Sequence, residues 1–273
     1  MMDRRCSFAR ALISAAVLLT SVPVSVCAQQ QPPETVEADV STRSVAITSN
    51  YTGTEILIFG TVAHSRQPSA EAGTYDLVAV VEGMSLPAIV RRKSRVGGLW
   101  INTHSVRFSS FPSFYGIATT RPLEEIAEPE TLATYQIGFG YVRMVPSGSI
   151  RWAPSTPEEA EEFRTAAIRL KKKDGLFVQS DYGVAFRGRS LFRATISLPP
   201  NVPVGPLTTR LFLFKDGKML SQYKSEVMME RTGLERFLHD KAYDYPFLYG
   251  VSTVLTAVAA GLFAAFAFGR RPR

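Results

Sequence analysis

The chain predicts a mainly β fold: an immunoglobulin-like antiparallel sandwich with a helical insertion, plus one C-terminal transmembrane helix. Three observations lead there. Apolar and β-branched runs recur at a spacing of about ten residues, with Gly, Pro, Asn and Asp gathered between them. One stretch, 156–173, breaks that rhythm with the start, stripe and stop of a helix. Finally, Phe247 to Phe268 contains no charged residue, and as a helix it is about 33 Å long, enough to cross a bilayer.

Taken in order, the N-terminus has Arg4, Arg5 and Arg10, an apolar run from Ala11 to Leu19, and Val26-Cys27-Ala28. That is the pattern of a signal peptide cleaved before Gln29, with an uncleaved anchor as the alternative. Cys27 invites lipidation, but Val26 before it is bulkier than such a site normally carries. A polar lead-in, Gln29 to Pro33, precedes the first strands, Val45–Thr48 and Thr54–Gly60, with a turn at Asn50-Tyr51-Thr52-Gly53. Tyr75 to Glu82 is almost continuously apolar, as in a strand buried on both faces. Ala88-Ile89-Val90 then runs into Arg91-Arg92-Lys93-Ser94-Arg95 and a Gly97-Gly98 turn, followed by short candidates at Trp100–Asn102 and Ser105–Phe108.

Short helices are expected at Pro122–Ile126 and Glu130–Ala133. The helix after Thr156 has Thr156 as cap, Pro157 at the first helical position, acids in the first turn, and Lys171-Lys172-Lys173 at its end. Strands resume at Gly183–Phe186, Leu191–Leu198 and Leu207–Phe214. Asp216-Gly217 then turns the chain into Leu220–Met228, and a last helix begins at Leu234. The expected organisation is a signal peptide at 1–28 and a β-rich exported region at 29–240, of one domain or two, with the insertion near 122–174. The juxtamembrane segment and membrane helix occupy 241–269, and 270–273 is a cytoplasmic tail.

The ends also explain the charge. Of the net +7, Arg270, Arg271 and Arg273 supply three, and Arg4, Arg5 and Arg10 less Asp3 supply two. The basic balance is therefore a targeting feature, and no nucleic-acid partner is expected. By the positive-inside rule the arginine tail lies in the cytoplasm, and Tyr243, Tyr245 and Tyr249 mark the other interface. This gives a single-pass protein of the bacterial inner membrane with its bulk in the periplasm. Both cysteines, Cys6 and Cys27, fall in the expected signal peptide, so neither disulfides nor thiol chemistry is expected of the mature chain.

No catalytic residue, metal site or cofactor is expected. His64, His104 and His239 are far apart, HExxH, GxSxG, GxGxxG and Walker patterns are lacking, and the paired glutamates fall in helical stretches. Three features remain. Arg91, Arg92, Lys93 and Arg95 could bind an anion, an acidic partner or lipid headgroups, or could guard an edge strand with charge. Phe108 to Gly116 is aromatic, suited to core packing or to an apolar contact surface. Thr253, Ala257, Gly261, Ala265 and Gly269 recur every four residues, a small-residue packing face for self-association or for another membrane protein.

Several stretches also resemble the alphaproteobacterial putative transmembrane protein family: TGTEILIFG at 52–60, IVRRKSRVGGLWIN at 89–102, PSFYGIATTRPLEEI at 112–126, LFRATISLPPNVPVG at 191–205 and GLERFLHDKAYDYPFLYG at 233–250. The resemblance implies a membrane protein and no established activity. Members are often encoded near sulfite-exporter-type permeases, so it further implies an accessory role in the transport of sulfur-containing anions. The expected function is a non-enzymatic periplasmic interaction module on a membrane anchor, with a small-anion-binding protein as the alternative.

Overall fold

The computed structural model describes residues 32–48, 50–147, 156–231 and 234–269. The expected signal peptide and basic tail lie outside them. In chain order the first strands are β1 (Thr35–Val40), β2 (Ser44–Ile47), β3 (Thr54–Ala63), β4 (Asp76–Gly83), β5 (Ser85–Val96), β6 (Leu99–Pro112) and β7 (Tyr115–Thr119). Helices α1 (Leu123–Ile126) and α2 (Pro129–Tyr135) follow, then β8 (Val145–Ser147) and α3 (Pro157–Lys173). The remainder is β9 (Phe177–Ser180), β10 (Val184–Phe186), β11 (Leu191–Leu198), β12 (Gly205–Lys215), β13 (Lys218–Arg231), α4 (Leu234–Asp244) and α5 (Pro246–Phe268).

The strands form a four-stranded sheet in the order β1-β3-β11-β10, a six-stranded sheet in the order β2-β13-β12-β4-β7-β9, and a three-stranded sheet in the order β5-β6-β8. The first two pack face to face. Alternation supplies the interface: Phe192, Ala194, Ile196 and Leu198 of β11, and Ile56, Ile58 and Val62 of β3, are buried between exposed or half-buried neighbours. Gly116 of β7 lies so close to this layer that an added Cβ would stand 2.7 Å from Ile196. Gly60 brings β3 against β1 in the same way, where a Cβ would meet the Glu37 carbonyl oxygen at 2.2 Å.

The continuous apolar run of β4 is explained by its place. It is central in the six-stranded sheet, between β12 and β7, and Leu77 to Val81 are buried on both faces. The first sheet covers one face. The helical insertion joins the same core, with Leu123, Ile126, Leu132, Phe163 and Ala167 buried and the Tyr135 ring 6.0 Å from that of Phe212.

Two details depart from a purely antiparallel sandwich. β7 and β9 pair in parallel, as do β2 and β13. The first pairing follows from the connection: α1, α2 and α3 carry the chain from the end of β7 back to the start of β9, the crossover that parallel strands require. The expected cap of α3 is present, with the Thr156 hydroxyl accepting from the Glu159 amide at 3.3 Å. Asp216 and Gly217 form the two-residue turn between β12 and β13, both with positive φ (50° and 77°). The short candidates at Trp100–Asn102 and Ser105–Phe108 belong to one strand, β6. Irregularities at Arg92/Lys93 and Leu86/Ala88 in the β5–β6 pairing break its alternation and hide its length from the sequence.

Candidate functional site

Beyond the sandwich, β5 and β6 run on as a long hairpin. It grows directly out of the six-stranded sheet, because Glu82 pairs with Tyr115 and Ser85 with Pro112 on either side of a corner. At that corner the Gly83 amide donates to the Phe114 carbonyl at 2.8 Å and the Ser113 amide to the Met84 carbonyl at 3.0 Å. Gly83 permits the close approach, since a Cβ there would stand 2.4 Å from the Ser113 hydroxyl. Strands β4–β5 and β6–β7 are thus one bent two-stranded ribbon. It closes at Gly97-Gly98, with positive φ of 58° and 87° and Val96 paired with Leu99.

Near the corner the hairpin is anchored by aromatics: Phe108, Phe111, Phe114 and Tyr115 are buried, with the Phe111 ring 5.7 Å from Phe177. Most of the aromatic run 108–116 is therefore core. Tyr115 donates to the Gln136 carbonyl at 2.9 Å and accepts from the Gly138 amide at 3.3 Å, and burial raises its pKa. The outer half differs. Leu99 and Trp100 are 71% and 68% exposed.

The four basic residues singled out in the sequence lie on β5, which is at the edge of its sheet, and they separate onto two faces. Arg92 turns towards α3. Its guanidinium lies 3.1 Å from Glu162 and 3.6 Å from Glu159, and 5.7 Å over the Phe163 ring. Arg91, Lys93 and Arg95 are exposed on the other face. Between β5 and α3 runs an open groove of about 510 Å³, lined by Val90, Arg91, Arg92 and Lys93 of β5 and by Glu162, Phe163, Ala166, Arg169 and Leu170 of α3. Arg107 and Arg169 do not stand out in the sequence as site residues, and Trp100 stands out there only as part of a short strand. For Arg107 and Trp100 the available signal was that residues 85–112 contain no carboxylate at all.

Thr253, Ala257, Gly261 and Ala265 lie on α5, and Gly269 caps its end, donating to the Ala265 carbonyl at 2.7 Å. The Thr253 hydroxyl donates to the Tyr249 carbonyl at 2.8 Å, so it need not find a partner outside the helix. Of the histidines, His64 sits in a turn with φ of 56°, His104 in β6 and His239 in α4. Among the described residues no three His, Asp or Glu are grouped to hold a metal ion.

The buried charged groups hold strands together. Arg121 grips Asp76 through two hydrogen bonds, at 2.8 and 2.7 Å, and Thr120 adds a third at 3.1 Å. Arg210 of β12 donates to Glu82 of β4 and to the Tyr135 carbonyl, both at 3.2 Å. Burial raises the Glu82 pKa, and Arg210 pulls it partly back. Arg210→Met is expected to cost about 1–3 kcal/mol at neutral pH, because it strands a desolvated carboxylate. The sign with pH follows. A carboxyl whose folded pKa lies further above its unfolded value loses stability as pH rises between the two. The deficit should therefore be small near pH 4 and full near pH 8, which urea melts at both values would check.

Three comparisons bear on this architecture. A family model described as "Putative transmembrane protein (Alph_Pro_TM)" matches residues 35–270. No curated protein matches. Among solved structures, AggA, the major subunit of aggregative adherence fimbriae type I from Escherichia coli, is similar at 9% identity over 73% of this chain and 95% of its own, with a TM-score of 0.24. Similarity at that level carries no argument.

Proposed function

The chain belongs to the Alph_Pro_TM family of transmembrane proteins, and from that premise we propose that it is a non-enzymatic interaction module held in the bacterial inner membrane by α5. In this reading a cleaved signal peptide exports the sandwich to the periplasm, and the Arg270, Arg271 and Arg273 tail stays in the cytoplasm. The observation that carries it is the state of α5: 23 apolar-rich residues, about 35 Å long, with none of the apolar window covered by the rest of the chain. Phe247, Phe263 and Phe268 are each at least 75% exposed. Such a surface is stable only against lipid or other membrane helices. Its small-residue stripe suits a second helix, either a copy of this chain or a transporter of sulfur-containing anions to which the module is accessory.

Site-specific photocrosslinking in native membranes tests this. Probes at Ala257 and Gly261 should give a defined adduct that a probe at Leu255, on the opposite side of the helix, does not. No adduct from any of the three positions would sink helix-mediated partnership.

A second reading is favoured by the groove between β5 and α3, where Arg91, Lys93 and Arg169, beside Glu162, could hold a small anion. Arg92 is already engaged by Glu159 and Glu162, which leaves the other three to do so. Titration calorimetry of the detergent-solubilised chain with sulfite, sulfate and phosphate decides it; absence of heat at millimolar ligand rejects the reading.

A further inference from the structure

We propose that the outer face of the β5–β6 hairpin docks on the anionic phospholipid headgroups of the bilayer in which the chain is anchored. The inference rests on the reading of α5 as the anchor.

The pairing register sets the composition of that face. Arg95 stands opposite Trp100, Lys93 opposite Asn102, Arg91 opposite Ser105 and Ile89 opposite Arg107, so these eight side chains share one side of the hairpin. Seven of them are exposed and Ser105 is half-buried, and none carries a negative charge to offset the cations. Arg91, Lys93, Arg95 and Arg107 make no ion pair among the described residues, whereas Arg92, on the opposite side, is doubly paired. Among the described residues, the hairpin cation that meets carboxylates is thus the one that holds α3. The other four share a face with an exposed tryptophan, in a hairpin (85–112) without a single acid.

Cations interleaved with Trp100 and Ile89 match the depth profile of a membrane surface. Guanidinium and ammonium groups pair with headgroup phosphates, and an indole settles at the interface just below them. An acidic protein would satisfy the charges, but it would need a pocket for Trp100. A bilayer accepts the ring anywhere along its surface.

Reach permits the contact. β13 ends at Arg231 and α5 starts at Pro246, and α4 fills most of the interval. As a helix with short flanks, that tether keeps the end of β13 within roughly 30 Å of the membrane. The hairpin's 12- and 14-residue strands extend about 40 Å.

The chain has two tryptophans, Trp100 and Trp152, so Trp152→Phe in the full-length protein leaves Trp100 as sole reporter. The protein is inserted in nanodiscs of phosphatidylcholine alone, or of phosphatidylcholine with phosphatidylglycerol, each made with brominated acyl chains that quench indole on contact. Trp100 emission should be several-fold more quenched and blue-shifted with phosphatidylglycerol. The triple variant Arg91→Glu, Lys93→Glu, Arg95→Glu should abolish the difference. Single replacements by Gln should each weaken docking about fivefold, and raised salt should release the unmodified hairpin without any substitution. Equal quenching in the two lipids, or quenching indifferent to the charge changes and to salt, overturns the proposal. So does a Trp100 response that requires an added acidic protein in place of anionic lipid. Failure of the chain to insert in either nanodisc refutes the anchor reading itself, which insertion without quenching leaves standing.

Discussion

Two arginines at the centre of α5, introduced as Ala257→Arg with Gly261→Arg, are expected to shift the chain from the membrane to the soluble fraction. Each charge at mid-bilayer costs about 2.5–3.5 kcal/mol on insertion. The pair therefore removes roughly 5–7 kcal/mol from a span that has no other charge to compensate. Carbonate extraction of membranes, followed by blotting of pellet and supernatant, reads the result directly. The sandwich should be untouched, since α5 contributes nothing to the buried core. Retention of the double variant in the pellet would mean that something other than α5 holds the protein there.

The complementary prediction separates folding from anchoring. Phe192 of β11 is fully buried between the sheets, paired with Gly60 and 6.2 Å from the Phe186 ring. Phe192→Ala should cost about 3–5 kcal/mol, the lost transfer energy plus the cavity left in a layer too tightly packed to collapse. Urea unfolding of the detergent-solubilised chain should show that drop at the midpoint, while membrane retention stays unchanged. A loss under about 1 kcal/mol would place the real core elsewhere than the β3–β11 face.

Much of this architecture was legible because alternation and run length are local. β11 announces itself through Phe192, Ala194, Ile196 and Leu198, and β4 through its unbroken apolar run. The cap and lysine end of α3 were equally plain. Other elements were not. β1, TVEADV, carries Glu37 and Asp39 on its outward positions and is a strand because β3 offers it an edge. β7, YGIAT, is held by β4 and β9, partners far away in sequence. For the candidate surface, the basic run was visible but its division was not. That Arg92 belongs to α3 while its neighbours belong to solvent depends on glutamates about seventy residues later. The companion cation Arg107 and the exposed Trp100 become members of the same face only through a cross-strand register that one bulge decides.

The bent ribbon has a mechanical meaning. β4 is hydrogen-bonded on both sides in the middle of the six-stranded sheet, and β5 is its direct continuation past Gly83. A pull or push at the Gly97-Gly98 tip therefore acts as a crank with its pivot at the Gly83–Ser113 corner. Much of the force arrives as shear along the β4–β12 and β4–β7 ladders, where eight and five paired residues share it. A loop at the same place would flex and dissipate the displacement. This arm passes it into the centre of the protein, so whatever the tip touches is mechanically connected to the core.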